Sequence, residues 1–288
     1  MKKSKKGKTG GALVLMGAFV MLPLITTITN SYMTEREIAL NYSAKLTYFD
    51  LDDAMNETFR KITFIPNPVT LSQYAAVLVY QPSFLLLLLN SLKITAPVTA
   101  GTLIIALLTA YGFTVSEWKH KEKAFMAYIV VMLMPLQAVI VPNYIIAELL
   151  GIPRSYLAII LPGVFSPFGV FLMRQNMKAL PFAYIEAARM DGANDITILI
   201  RIIMPNMKSS IAALCMLTFI EYWNTVEQAI VFIDDYTKEP LSIYLSRIAD
   251  TAMGLIFAAS CVYMAPPLWF LFSGQEHLEK GIELSGVK

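Results

Sequence analysis

The side chains of this 288-residue chain that could do chemistry form no catalytic set. Gly-Lys-Thr occurs once, at Gly7-Lys8-Thr9. The glycine that a phosphate-cradling G-x-x-x-x-G-K-[ST] loop needs five residues earlier is Lys2, so ATP has no binding loop here. H-E-x-x-H, a G-x-S-x-G elbow and a His-centred triad are absent. Cys215 and Cys261 lie in apolar runs and make no ligand-like spacing with each other or with His120 and His277, so they read as small core residues rather than a metal or disulfide site. We expect no catalytic residue, metal or bound cofactor. Two polar clusters remain. One is Glu221, Trp223, Asn224, Glu227 and Gln228 inside an apolar run, with Gln137, Asn143 and Tyr144 as a weaker set. Polar groups in a bilayer are costly and usually face a bundle interior. Asn224 and Gln228, four apart, would share a helix face with Glu221 one turn earlier. Aromatic faces beside amides and carboxylates suit sugar rings, which makes these residues candidates for lining a path. Interhelical hydrogen bonding, with Trp223 as packing, explains them equally.

The second cluster is Leu180 to Pro205. Pro181 suits the first turn of a helix, and Gly192 suits the left-handed position just past its end. Asp195 can cap a second helix, which Pro205 limits. On the first helix Tyr184, Ala187, Ala188 and Met190 offer a small apolar surface beside Glu186, Arg189 and Asp191, suited to a partner's groove. Amphipathicity alone favours a hairpin lying on the membrane or packed under its own spans over a partner's groove.

The elements that position these residues are apolar. The chain is 56% hydrophobic and only 15% charged, against roughly 25% charged in soluble domains, which excludes an ordinary soluble enzyme. Its 23 basic and 21 acidic residues nearly cancel, which argues against a nucleic-acid partner. A bilayer core needs roughly 20 apolar residues per helix. Six runs qualify, near Gly11–Ile28, Leu86–Phe113, Ala124–Ala147, Leu157–Met173, Ile211–Ile233 and Ala252–Phe272. We expect an all-α polytopic membrane protein, with a basic tail over residues 1–10, one six-span domain over 11–273 and a C-terminal tail over 274–288. The long apolar run after the five N-terminal lysines, with no cleavage site following, reads as a retained helix rather than a signal peptide. With the N-terminus inside, fifteen of the 23 basic residues fall on the cytoplasmic side, so both termini are expected there. An external loop then covers about 34–83, including the acidic, aromatic Tyr48-Phe49-Asp50-Leu51-Asp52-Asp53, and Leu180 to Pro205 lies in a cytoplasmic loop over 174–208.

Glu186-Ala187-Ala188, then Gly192, then Ile202-x-Met204-Pro205 resembles the EAA signature E-A-A-x3-G-x9-I-x-L-P of permease subunits from binding-protein-dependent ABC importers. Only Met204 departs, by a volume-conserving change from Leu. Ile65-Pro66-Asn67-Pro68, Asn90-Ser91-Leu92, Met134-Pro135-Leu136-Gln137, Gly169 to Gln175 and Phe219 to Asn224 look like the carbohydrate-uptake branch. The chain is similar to its six-span partner subunit, the type of the smaller maltose-transporter permease. The resemblance implies a type I importer permease fold in the bacterial inner membrane, forming half of a path for a carbohydrate, with an oligosaccharide as the expected cargo. It implies a second, different permease subunit, two cytoplasmic ATPases that hold the ATP, an external solute-binding protein and surrounding lipid. Glu186, Ala187, Ala188, Gly192 and Pro205 would be the coupling element, with Glu186 paired to a basic ATPase residue and both alanines against its groove wall. A permease for another solute remains an alternative. A secondary transporter is less favoured, because it should show paired repeats around a midplane site, and none is found.

Overall fold

The computed structural model describes residues 3–42, 65–248 and 253–286. The acidic, aromatic stretch of the external loop, Tyr48 to Asp53, lies outside them. The described residues are helical, with no strand among them. In order the helices are α1 Lys3–Asn30, α2 Glu35–Tyr42, α3 Ser72–Ala75, α4 Pro82–Val115, α5 Lys121–Met132, α6 Leu136–Leu149, α7 Tyr156–Val164, α8 Pro167–Lys178, α9 Ala183–Met190, α10 Asp195–Ile198, α11 Met204–Asn206, α12 Lys208–Trp223, α13 Glu227–Phe232, α14 Leu241–Ile248 and α15 Met253–Gly286. Wide π-helical turns occupy Ala76–Tyr80 and Leu199–Ile203.

Three helical stretches are long and apolar enough to cross a bilayer: Pro82–Val115, Tyr156–Lys178, which α7 and α8 form with Phe165 and Ser166 between them, and Gly254–Gly274. Two further spans exist if bent pairs are counted, α5 with α6 at 102° and Asp195–Asn206 with α12 at 85°. The described apolar part of α1, Leu15–Asn30, is shorter. Of the six expected spans, the described residues show three by length and composition, and up to five with the bent pairs counted. The bend after Met132 falls at Leu133-Met134-Pro135, because Pro135 pushes the residue before it out of helical geometry. The fifth expected span breaks after Trp223, where three residues separate the end of α12 from the start of α13. Helix α15 runs on to Gly286, beyond the expected end of the last span at Phe272.

Contacts part the chain into two compact units, residues 1–86 with 244–265, and 87–243 with 266–288. In the first, the Ser31 and Tyr74 hydroxyls lie 2.8 Å apart and Tyr244 donates to Gln81 at 2.7 Å. In the second, two apolar cores form. One gathers Ala106, Ala110, Phe125, Val170, Met173, Ile185, Ala188, Ile198, Ile203 and Leu214. The other gathers Ile94, Ala158, Ile159, Ala229, Phe232 and Ile243. Helix α4 serves both. Its sequence has almost no amphipathic periodicity, the pattern of a helix that is apolar all round, and Leu85, Leu89, Ile104 and Leu108 on it are exposed. Its few polar residues form an inward stripe: Asn90 donates to the carbonyls of Thr237 and Glu239, Ser91 accepts from the Leu241 amide, and Thr102 donates to the Gly163 carbonyl. In a medium without water such groups must find partners inside the protein.

Candidate functional site

The loop between α8 and α12 is folded by its own local chemistry. Leu180 and Pro181 lead into α9. The helix closes on Gly192, whose φ is +80°. The Gly192 amide bonds the Arg189 carbonyl and the Ala193 amide bonds the Ala188 carbonyl, the paired bonds that end a helix on a left-handed residue. The second helix is capped by Asn194, whose side chain accepts from the Thr197 amide at 2.8 Å, and not by Asp195 as the sequence suggested. Asp195 stands one residue inside. It accepts from the Tyr111 hydroxyl at 2.8 Å and from Arg189 at 3.4 Å, and the Tyr111 hydrogen bond first, then Arg189, holds its carboxyl below the usual range. Pro205 does not end this helix. It occupies the second position of α11, just past the wide turn Leu199–Ile203, which absorbs the backbone disruption a mid-helix proline causes. The chain turns instead at Met207.

The two alanines of the motif part company. Ala188 is 8% exposed and sits with Ile185 in the core that α4, α5, α8 and α12 share. Ala187 and Glu186 are exposed. Around them stand the uncovered rings of Phe182 and Tyr184, and Met190 at 88% exposure. One face of α9 is thus fixed to the protein and the other is an apolar patch with a carboxylate in it, the composition of a docking surface.

Beside this loop α5 and α8 hold a buried cation. Arg174 on α8 is 2% exposed. Its guanidinium bonds Glu122 on α5 and lies 3.8 Å from the centre of the Phe125 ring and 6.0 Å from that of Phe113. Lys178 reaches the same carboxylate at 3.5 Å. A planar cation suits this double role of stacking and pairing. The only sequence signal is one arginine at the end of an apolar run; its partner is 52 residues away.

The polar cluster of the expected fifth span is distributed by the break in it. Trp223 is fully buried and stacks on Phe219 at 5.5 Å, so it is packing and presents no face to a path. Asn224 folds its amide onto the Ile220 carbonyl at 2.8 Å. It stands at the end of α12 while Gln228 belongs to α13, so the two do not share a continuous helix face. Glu221 is exposed. Gln137, on the far arm of the bent α5–α6 pair, donates to Glu227 at 3.0 Å. The Gln228 side-chain oxygen is buried without a partner. The Tyr222 hydroxyl stands over Gly163, where a Cβ would meet it at 2.8 Å. Among the described residues no cluster of His, Cys, Asp or Glu could hold a metal ion. The arrangement can dock a partner, bend, and present hydrogen-bonding groups.

The chain is 25% identical over 249 residues to the polygalacturonan/rhamnogalacturonan transport system permease protein YtcP of Bacillus subtilis (strain 168), covering 85% of this chain and 78% of that one. It is 27% identical over 202 residues to the lactose transport system permease protein LacG of Rhizobium radiobacter, covering 69% and 74%. A crystal structure of a bacterial ABC transporter involved in the import of the acidic polysaccharide alginate has a chain that superposes with a TM-score of 0.76, covering 96% of this chain and 98% of that one, at 20% identity. The fold is therefore shared with an importer subunit. Residues 104–283, which include the elbow of α9 and α10, the buried Arg174 and the broken fifth span, match the family profile of a binding-protein-dependent transport system inner membrane component. This chain belongs to that family.

Proposed function

We propose that this chain is one permease subunit of an ATP-driven importer, forming half of the path for a carbohydrate and taking up the motion of cytoplasmic ATPases through α9. The observation that carries the reading is the elbow Ala183 to Asn206: locked into the core on one face by Ile185, Ala188 and Ile198, closed by Gly192, and uncovered on the other face at Phe182, Tyr184, Glu186, Ala187 and Met190. A helix held at one face by the bundle and at the other by a motor transmits displacement as a rigid body. In this reading the chain crosses the membrane six times with both termini cytoplasmic, α5–α6 and the α12–α13 break being bent or broken crossings. A second, different permease completes the path, two ATPases hold the ATP, and an external binding protein delivers the solute. Gln137, Glu221, Glu227 and Gln228 are the path-facing candidates. The carbohydrate cargo, with an oligosaccharide favoured, is supported by the substrates named for the relatives.

The test is reconstitution of the chain with its co-purifying subunits in proteoliposomes. Uptake of radiolabelled oligogalacturonate, arabinooligosaccharide or lactose should require ATP and the binding protein, and one of these should stimulate ATP hydrolysis. A complex with no ATPase subunit would overturn the coupling reading. ATP-dependent uptake of a non-sugar solute alone would overturn the cargo.

A further inference from the structure

An apolar groove of about 630 Å³ lies where the start of α12 meets the elbow and α15. Ile200, Met204 and Pro205 of the elbow line it, with Ile211, Cys215 and Met216 of α12 and Trp269 and Phe270 of α15. Lys208, the first residue of α12, also lines it. It is exposed and has no ion pair among the described residues. Within the groove α15 comes so near α12 that a Cβ on Gly274 would overlap the Met216 side chain.

Three features identify the occupant. From Lys208 to Met216 the groove rises roughly 12 Å at helical pitch, close to one leaflet of a hydrocarbon core about 30 Å thick. A membrane-crossing partner helix needs a groove of the full thickness. The helical stretch Asp195–Asn206 turns 85° from α12, so it runs along the membrane boundary when α12 crosses, which places Lys208, at the turn, at headgroup level. The lining is aliphatic and aromatic except for one cation at that boundary and Ser273, which matches a fatty chain ending in a negative charge. We propose that this groove binds one anionic phospholipid from the leaflet on the elbow side, an acyl chain lying along Ile211 to Met216 and the phosphate on Lys208. The proposal needs the chain to be embedded in a bilayer and does not depend on the cargo.

Cys215, in the wall, is a built-in reporter once Cys261 is replaced by alanine. The transport complex in nanodiscs of phosphatidylcholine with graded phosphatidylglycerol is reacted with a small maleimide, and the lipid retained is counted by native mass spectrometry. Phosphatidylglycerol should be retained in preference to phosphatidylcholine, one per chain, and should slow Cys215 labelling. Lys208→Gln, a surface change that leaves the fold alone, should weaken that preference about fivefold, the effect of one basic residue at an anionic surface. Ala212→Trp should fill the groove and abolish retention while Lys208 stays. Equal retention of the two lipids, or indifference to Lys208, overturns the proposal. So does crosslinking of Cys215 to another membrane subunit, which would assign the groove to a protein. None of these outcomes touches the ATP dependence of uptake, so the two readings fail separately.

Discussion

At the scale of single residues, the sharpest constraint is Gly192. Its φ of +80° costs a side chain strain from the backbone alone, since no atom lies within 4 Å of where a Cβ would be. Gly192→Val should therefore cost roughly 1–2 kcal/mol and disturb the angle between α9 and α10. Gly192→Asn, whose short polar side chain tolerates this conformation, should be mild. The check is thermal unfolding together with ATP-driven uptake. Equal loss in both variants would mean that bulk, not backbone angle, is what position 192 resists. Arg174 gives a second case, in which the two partners are unequal. Glu122 is well exposed while Arg174 is buried, so removing the carboxylate strands a cation whereas removing the cation leaves a solvated anion. Glu122→Ala should lower the melting temperature more than Arg174→Leu, the reverse of what exposure alone suggests. A buried cation is visible in a sequence only as an oddity. That it stacks on Phe125 and Phe113 depends on three helices meeting, and no spacing encodes it.

At the scale of elements, the elbow was legible because its signals are local: Pro181 before the helix, Gly192 after it and the fixed spacing between. The errors were local too. Asn194 took the cap because a side chain at that position accepts from an amide three residues on, and Asp195, one place later, was freed to bind Tyr111. The broken fifth span was illegible because Ile211 to Ile233 is apolar enough to read through, and nothing in hydropathy separates a continuous helix from one that stops at Trp223. The two motif alanines illustrate what spacing omits: adjacent residues on a helix face different ways. Ala187→Trp should leave unfolding unchanged and abolish capture of an ATPase subunit, whereas Ala188→Trp should destabilise by about 1–3 kcal/mol through overpacking. Measuring melting temperature and subunit co-purification on both separates the roles, and a stable Ala188→Trp would contradict the buried placement. The Asp195 contact adds a pH dependence. A carboxyl held below its usual value stabilises the fold above its unfolded pKa of about 4 and loses that contribution as pH falls through the lower folded value. Proteolytic resistance of the elbow should hold from neutrality down to about pH 4 and fall below it. Tyr111→Phe should shrink that acid-sensitive step.

At the scale of the whole molecule, the second compact unit holds two apolar cores, one built around the elbow and one around α7 and α13. Elements common to both, α4 above all, carry any coupling between them. Rigid packing transmits displacement, but a path must also open, and opening needs places where helices already fail to continue. Among the described residues, two such places are joined directly: the bend between α5 and α6, and the break between α12 and α13. Gln137 and Glu227 join them by one hydrogen bond at 3.0 Å. A single bond of this kind stabilises by only about 0.5–1.5 kcal/mol, too little to hold the fold and enough to bias two arrangements several-fold. If the contact closes the path in one state, Gln137→Leu and Glu227→Leu should each change the rate of ATP-driven uptake while shifting the melting temperature little. The exchanged pair, Gln137→Glu with Glu227→Gln, rebuilds the bond with the charge moved across the gap and should recover most of the rate, a coupling that a double-mutant cycle measures directly. An exchanged pair as impaired as the sum of its single changes would show that the two side chains act independently, and the bend and the break would then not move as one gate.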